Sequence, residues 1–386
     1  MPTQQKHIAI LGTVGVPACY GGFETLAEQL VRYHASAGRS ERLSVACSAP
    51  AFEAHPSHFE GAELSYLPLH ANGAASVPYD IASLIQAKQA GADVALMLGV
   101  SGALALPILG QGNMRIIVHV DGQEWRRQKW SPPVRRFLKL CEGLAVRHAD
   151  AIIADNPAVA EDLWKRYGRR ADILTYGGDQ AVNVADAPLP KGLPQDYALA
   201  VCRIEPENNI EMILQACVRS RMPLICVGNW DNSRYGRELR ARYVHHPDLY
   251  LLDPIYAPAT LQTLRRRAYL YLHGHSAGGT NPSLVEMMHV GKPIYAFDCV
   301  FNRHTTFNEA EYFSDAKGLA QILQTSPPAA MGPRLKTLAQ HHYAWSQIGA
   351  QYFDLIERVA QAPRNTQKSK ISSRKDPRRF FFLPRS

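Results

Sequence analysis

The chain has 386 residues, of which 46% are hydrophobic and 20% charged, a composition typical of globular proteins rather than disordered chains. Its seven cysteines are scattered and form no C-x-x-C pair, which disfavours a disulfide framework and a zinc site and favours a reducing cytosol. The formal net charge is +8, and most of it lies in residues 362–386, so the rest of the chain is close to neutral.

Strand and helix patterns alternate along the first half of the chain. The apolar run 94–110 is uncharged, but its length, glycines and proline disfavour a transmembrane span and favour a buried strand followed by a helix. Because such alternation produces a parallel sheet covered on both faces, a doubly wound α/β domain is expected. The predicted strands are His7–Leu11, Leu43–Cys47, Val94–Leu98, Arg115–Val120 and Ala151–Ala154, and the predicted helices are Phe23–Ala37, Pro132–His148 and Ala158–Tyr167.

The same pattern restarts after a proline-rich segment, which is interpreted as an interdomain linker. Two Rossmann-like α/β domains are therefore expected, at 1–190 and 195–345. A C-terminal helix (346–361) that packs back toward the first domain and a tail (362–386) would follow them. The second-half strands are predicted at Tyr197–Cys202, Leu224–Val227, Leu249–Leu252, Tyr269–Leu272 and Ile294–Phe297, and the last helix at Trp345–Val359.

Residues 273–288 read HGHSAGGTNPSLVEMM and hold the strongest sign of a ligand site. Asn281 is expected to cap a helix that begins with a proline, and Gly278 and Gly279 leave backbone N–H groups uncovered in front of it. Such groups and the positive end of a helix dipole bind anions, most often phosphate. Glu286, one turn further on, is placed to accept hydrogen bonds from ribose hydroxyls. An ordinary capped helix with a solvated glutamate is the alternative.

Other candidates follow predicted strands, at the edge where open parallel sheets bind ligands. The glycine clusters before Glu24 depart from G-x-G-x-x-G, and no acid ends the second strand, which disfavours an NAD-dependent dehydrogenase. His119 and Asp121 end another strand and are expected on one face, where the carboxylate could take a proton from a hydroxyl or orient a sugar. Arg203 follows a strand of the second half and could stabilise a departing diphosphate. An ion pair with Glu205 or Glu207 is a compatible alternative.

The tail carries eight basic residues and one acid, together with the aromatic cluster 380–382. Basic residues beside aromatic rings are attracted to anionic lipid headgroups, at about 1 kcal/mol per cation near the surface. A solubilising tail is the alternative, and nucleic-acid binding is disfavoured because no recognised module accompanies the tail. We therefore expect a cytoplasmic protein, with the tail as a candidate attachment to the inner face of the cytoplasmic membrane.

Together these motifs resemble family 4 glycosyltransferases of the GT-B fold, most closely the bacterial rhamnosyltransferase-like group that builds cell-surface polysaccharides. The resemblance implies two Rossmann-like, doubly wound domains that face a central cleft, the second holding the nucleotide and the first the acceptor. It also implies retaining, metal-independent transfer from a nucleotide-diphospho-sugar, without a cofactor, to a lipid-linked saccharide. It spans about residues 6–358 and rests on four segments, 12–24, 119–125, 203–209 and 273–286, with Asn302-Arg303 downstream.

The resemblance also implies roles for the matching residues. Arg203 would stabilise the leaving diphosphate, and His119 and Asp121 would lie near the transferred sugar as further catalytic candidates. Glu286 would match the second glutamate of the family's E-x7-E motif and contact the ribose. The other substrate-binding candidates are Gly21, Gly22 and Glu24, facing the acceptor and the diphosphate, and Gly279, Thr280 and Asn281, cradling the phosphates.

Two positions depart from the broad family. The first glutamate of the motif falls on Gly278, and the usual lysine five residues after Arg203 is Asn208. Losing a carboxylate near the hexose hydroxyls favours a different sugar, such as the 6-deoxyhexose L-rhamnose. Two other classes stay open: a GT-B-like epimerase or phosphorylase, and a binding or scaffolding protein without transferase activity.

Overall fold

The computed structural model describes residues 5–18, 21–110, 112–127 and 130–363. Within these ranges the chain forms two α/β domains, each built on a sheet of mainly parallel strands. Short apolar strands that alternate with amphipathic helices pair in parallel, since each crossover helix returns the chain to the same edge. The predicted fold class is confirmed, whereas residues 364–386 of the basic tail lie outside the described residues.

The first domain contains one sheet, whose described strands are β1 His7–Leu11, β2 Arg42–Ser48, β3 His58–Phe59, β4 Ala62–Leu67, β5 Val94–Leu98, β6 Arg115–His119, β7 Ala151–Ala154 and β8 Asp172–Ile173. Their order across the sheet is β3-β4-β2-β1-β5-β6-β7-β8, with β3 antiparallel to β4 and the other pairs parallel. All five residues of β1 are buried, because this strand lies inside the sheet between β2 and β5. The carboxyl ends of β1, β5 and β6 therefore open on the same edge.

The second domain contains a parallel sheet, whose described strands are β9 Ala198–Val201, β10 Leu224–Val227, β11 Leu249–Leu252, β12 Leu270–His273, β13 Ile294–Phe297 and β14 Glu311–Phe313. Their order is β11-β10-β9-β12-β13-β14. The order reverses direction between β9 and β12, which is the point where ligands bind in doubly wound sheets.

Helices cover both sheets, and in the described residues none is long and apolar enough to cross a bilayer. In the first domain they are α1 Gly22–Ser36, α2 Ser76–Gln89, α3 Leu106–Leu109, α4 Pro132–His148 and α5 Pro157–Tyr167. In the second they are α6 Ile210–Ser220, α7 Arg234–Tyr243, α8 Pro258–Arg267, α9 Pro282–Val290, α10 Val300–Thr305, α11 Ala316–Ile322 and α12 Met331–His342, and α13 Trp345–Gln361 follows.

The chain crosses between the domains at two neighbouring points. The proline-rich segment 187–194 packs on the second domain, so the first crossing lies before it, close to Asp179. The second crossing is at Trp345, where α13 begins; α13 then packs into the core of the first domain against α1. The Trp345 backbone N–H donates to Asp179 Oδ1 at 2.8 Å and its indole N–H donates to Gln180 Oε1 at 2.6 Å, so the two crossings are tied together.

Candidate functional site

A glycine-rich loop, residues 274–281, leads from β12 into α9. Asn281 caps this helix as predicted, because its Oδ1 accepts a hydrogen bond from the Ser283 backbone N–H at 3.0 Å. Pro282 occupies the first turn, where its missing N–H costs nothing, and Gly291 ends the helix in the left-handed region. The positive end of α9 therefore faces the loop.

The glycine-rich loop lies against the first domain. The backbone of Gly278 and Gly279 lies so close to Gly122 that a Cβ atom on Gly122 would overlap both residues. The carboxylate of Asp155 occupies the space that a Cβ atom of Gly279 would need. Glycine at positions 122 and 279 is therefore required for the domains to approach this closely.

Thr280 and Asn156 join the two domains at the same point. Thr280 Oγ1 donates to the Asp155 backbone oxygen at 2.7 Å, and Asn156 Nδ2 donates to Thr280 Oγ1 at 3.3 Å and to the Phe301 backbone oxygen at 3.2 Å. Thr280 is only 3% exposed. The first domain thus closes over this candidate phosphate-binding residue, and a diphosphate could reach the Thr280 N–H only after these contacts separate.

Glu286 is held by two partners beside the glycine-rich loop. Its carboxylate forms an ion pair with Arg265 and accepts a hydrogen bond from Gln180 Nε2 at 2.9 Å. The side chains of Arg265 and Glu286 are 7% and 15% exposed. A carboxylate has lone pairs left for ribose hydroxyls, but this one also balances a buried cation, a partner that the sequence analysis did not foresee.

Arg203 follows β9 at the carboxyl edge of the second sheet, as predicted. Its guanidinium lies 3.8 Å from the Glu205 carboxylate, and its side chain is 43% exposed. Asn208, at the position of the usual lysine, instead donates a hydrogen bond from Nδ2 to the Arg203 backbone oxygen at 2.6 Å. Asn208 therefore shapes the loop from which the Arg203 side chain extends into solvent.

The N-terminus of α1 lies beside the N-terminus of α9. Gly21 precedes α1 with a φ of 128°, a conformation that favours glycine, and the Glu24 side chain folds back over it. Glu24 Oε1 accepts the Val14 backbone N–H at 3.0 Å; burial raises the pKa of Glu24, and this hydrogen bond partly opposes the rise. A Cβ atom on Gly22 would lie 3.4 Å from the ring of Pro282, so two helix N-termini meet across the domain boundary.

His119 and Asp121 lie where β6 ends. The strand stops at His119, and Asp121 has a φ of 58°, so the strand alternation behind the predicted shared face does not extend to Asp121. Burial lowers the pKa of His119 to about 3, which keeps its ring neutral. The Asp121 N–H donates to His119 Nδ1 at 3.2 Å, which leaves the ring proton on Nε2. Within the described residues Nε2 has no hydrogen-bond partner.

Charged side chains from both domains surround Asp121. Burial and the neighbouring Glu124 raise the pKa of Asp121, and Arg127 and Arg203 partly oppose the rise. Arg127 Nε lies 2.6 Å from Glu124, and its Nη1 lies 3.9 Å from Glu205 of the second domain. Arg127 could not be predicted from the sequence, since nothing in the local pattern distinguishes it from the adjacent Arg126.

Asp155 was also missed, although a sequence signal existed. It directly follows the apolar strand β7, just as His119 and Asp121 lie at the end of β6. Asp155 is 1% exposed, and its Oδ1 has no partner among the residues that the structure describes. Burial and the nearby Asp121 raise the pKa of Asp155 well above its usual range, while the Thr280 backbone N–H partly opposes the rise.

Residues 5–179, which form most of the first domain, match the model of a protein family described as a domain of unknown function, DUF1972. No curated protein matches the chain. Among solved structures, sucrose-phosphate synthase from Thermosynechococcus elongatus has a TM-score of 0.74 at 17% identity, over 92% of this chain and 99% of that one. The catalytic domain of starch synthase IV from Arabidopsis thaliana has a TM-score of 0.70 at 11% identity, over 93% and 100%.

A putative UDP-N-acetylglucosamine 2-epimerase from Listeria monocytogenes is also similar, with a TM-score of 0.58 at 13% identity, over 92% of this chain and 96% of that one. Since proteins of different reaction classes share the architecture at such low identity, the similarity shows the fold and carries no activity over. The chain has the GT-B fold, with two Rossmann-like domains that face each other.

Proposed function

We propose that the protein is a glycosyltransferase that moves a sugar from a nucleotide-diphospho-sugar to a saccharide acceptor, with retention of configuration and without a metal ion. The observation that carries the proposal is the meeting of two helix N-termini, at Gly22 and Pro282. Arg127 lies close to Gly278, and the charge of Arg203 partly opposes the rise in the pKa of Asp121 that burial causes. Helix N-termini and guanidinium groups both bind phosphate. A site that combines two helix N-termini with two guanidinium groups therefore suits a diphosphate.

The proposal gives each substrate its own domain. The nucleotide would lie on the second domain, with its phosphates at the N-terminus of α9 and its ribose at Glu286, and the acceptor would lie on the first domain. The starch synthase that shares the fold was solved with ADP and acarbose, a nucleotide and a saccharide, which supports a pairing of these two ligand classes.

The transfer step needs stabilisation of the leaving group more than a strong base. Arg203 and the N-terminus of α9 would stabilise the negative charge on the diphosphate as its bond to the sugar breaks. An oxygen of that phosphate would take the proton of the acceptor hydroxyl, so attack would occur on the face that the leaving group vacates. His119 Nε2 would donate to a hydroxyl of the transferred sugar, and Asp121 would accept from another.

For the finer assignments we propose L-rhamnose as the sugar and a lipid-linked saccharide as the acceptor. Gly278 supplies no carboxylate beside the glycine-rich loop, which suits a sugar with one hydroxyl fewer. The basic tail would hold the enzyme at anionic lipid, where such acceptors reside. Deleting residues 364–386 should abolish cosedimentation with phosphatidylglycerol vesicles, with phosphatidylcholine vesicles as the control. Undiminished cosedimentation would contradict the role of the tail.

Thermal-shift measurements with dTDP, UDP, GDP and their sugar conjugates, with and without EDTA, test the proposal directly. Stabilisation by one nucleotide, unchanged by EDTA, is the expected result, because a ligand that binds the folded state raises its melting temperature. Loss of the shift with EDTA would contradict metal independence. No shift with any nucleotide would favour a scaffolding protein, and conversion of the donor to an isomeric sugar would identify an epimerase, the class of one structural neighbour.

A further inference from the structure

A cavity of about 150 Å³ lies at the carboxyl edge of the first sheet, where β1, β5 and β6 end. It belongs to the first domain, and no residue of the glycine-rich loop lines it. Its polar lining and the aromatic ring beside it come from Phe23, Ser76, Asp80, Ser101, Asp121 and Glu124. Asp121 is the one candidate catalytic residue in this lining, so the cavity shares a wall with the proposed site and extends beyond it.

Asp80 is the buried carboxyl group of this cavity. It lies on α2 and is 6% exposed; burial raises the pKa of Asp80 to about 7, while hydrogen bonds from the Gly102 backbone and the Ser101 hydroxyl partly oppose the rise. A Cβ atom on Gly102 would lie 2.9 Å from the Asp80 Cβ, and Ser76 Oγ donates to Ser101 Oγ at 3.2 Å. Close packing thus fixes the carboxyl group at the cavity wall.

The lining combines hydrogen-bonding oxygens with apolar surface. Carboxylate and serine oxygens accept hydrogen bonds from hydroxyl groups, while Phe23, Val100, Val120 and Leu138 offer contact to C–H groups. A sugar ring presents both kinds of group. The described lining contains no lysine, arginine or histidine, so a carboxylate of the ligand buried there would find no cation among the lining residues, and its burial is unfavourable.

We propose that this cavity binds the acceptor as an uncharged sugar ring and that Asp80 forms a hydrogen bond to one of its hydroxyls. The volume suits a single ring, since sites for larger organic ligands are about 300–1,000 Å³. Asp121 lies both in the cavity wall and within the electrostatic reach of Arg203, so a sugar in the cavity adjoins the cleft. The inference rests on the proposed transferase function and makes Asp80 a residue that determines acceptor specificity.

Saturation-transfer NMR on the full chain, without nucleotide, tests the cavity. The probes are neutral methyl hexosides of the gluco, galacto, manno and rhamno series and the uronates of the first three. We expect at least one neutral hexoside to bind and the uronates to bind at least tenfold more weakly. Asp80→Ala should weaken hexoside binding at least tenfold, since a hydrogen bond from a buried group is lost. Asp80→Asn keeps the shape of the side chain and should weaken hexoside binding at least threefold.

Two controls make the result specific. Gln89→Ala alters an exposed residue of the same helix outside the cavity lining and should leave hexoside binding within twofold. Calorimetry with the nucleotide tests the second domain separately, and the Asp80 variants should bind it like the wild type. If no nucleotide binds but the sugars bind as expected, the transferase proposal is refuted and the cavity remains a sugar-binding site. If the nucleotide binds, any of three results would refute the cavity proposal. Uronates could bind as well as hexosides, no hexoside could bind, or both Asp80 variants could bind the hexoside like the wild type.

Discussion

The carboxylate of Asp155 in the first domain occupies the space beside Gly279 in the second, where any other residue would place its Cβ atom. This contact joins the end of β7 to the loop before α9. Thr280 extends it with a hydrogen bond to the Asp155 backbone oxygen at 2.7 Å. An aspartate and a glycine far apart in the sequence thereby determine how closely the domains approach.

Gly279→Ala should weaken the closed arrangement of the two domains. The added methyl group overlaps the Asp155 carboxylate, and overpacking of this kind costs about 1–3 kcal/mol. We expect a lower melting temperature and a larger radius of gyration in X-ray solution scattering. Gly318→Ala is the control, because a Cβ atom there lies 3.6 Å from Asp315, within a helix that favours alanine. If both quantities stayed at wild-type values in Gly279→Ala, the contact would not hold the domains.

Substitutions of Glu286 should separate its structural role from its proposed ribose role. Glu286→Ala leaves the buried Arg265 without its carboxylate, and removing one member of a buried ion pair costs about 3–5 kcal/mol. Glu286→Gln keeps an acceptor for Arg265 and should lower nucleotide affinity with a smaller loss of stability. Urea unfolding and nucleotide calorimetry measure the two effects. Wild-type nucleotide affinity in Glu286→Gln would rule out the ribose contact.

Arg203→Ala should lower turnover by about 10²–10³-fold, the usual loss when a group that stabilises a developing charge is removed. Stability should change by less than about 1 kcal/mol, because the side chain is 43% exposed and its carboxylate partner lies 3.8 Å away. Release of nucleoside diphosphate reports turnover. Arg234→Ala, on an 88% exposed side chain of α7, is the control. Equal turnover in the two variants would remove Arg203 from the mechanism.

The stability of the protein should depend on pH through Asp80. The folded state keeps the Asp80 proton up to a pKa of about 7, above the ordinary aspartate value of 3.8, so it binds more protons than the unfolded state between these pH values. Stability from this group is therefore present at low pH and falls as the pH rises toward 7. Asp80→Asn should gain stability relative to the wild type between pH 5 and pH 8 in urea unfolding. A pH-independent difference, like that expected for the exposed Gln89→Ala, would contradict the raised pKa.

Features with a strong local pattern could be predicted from the sequence. β1, β5 and β7 are short apolar runs, and the strands were predicted with the bounds that the structure has. Asn281 and Pro282 specify the start of α9 through one hydrogen bond and one backbone constraint. Such signals depend on neighbouring residues only, so no knowledge of the fold is needed to read them.

Features that depend on distant contacts could not be predicted in this way. β8 and β14 have two and three residues, too few for a periodic pattern, and their strand conformation comes from pairing at the sheet edges. Arg265 lies on a different helix from Glu286, and no local signal pairs them. Asp155 and Arg127 contact the second domain only because the ends of β7 and β6 face it, and no local pattern indicates this.

α13 has a consequence for the order in which the protein is completed during synthesis. Its buried residues, among them Tyr352 and Phe353, are part of the first domain's core, although they follow the whole second domain in the chain. The ribosome therefore finishes the contiguous second domain before it supplies this helix, and the domain synthesised first becomes complete last. Cleaving the chain near residue 180 would likewise leave the first domain without part of its own interior.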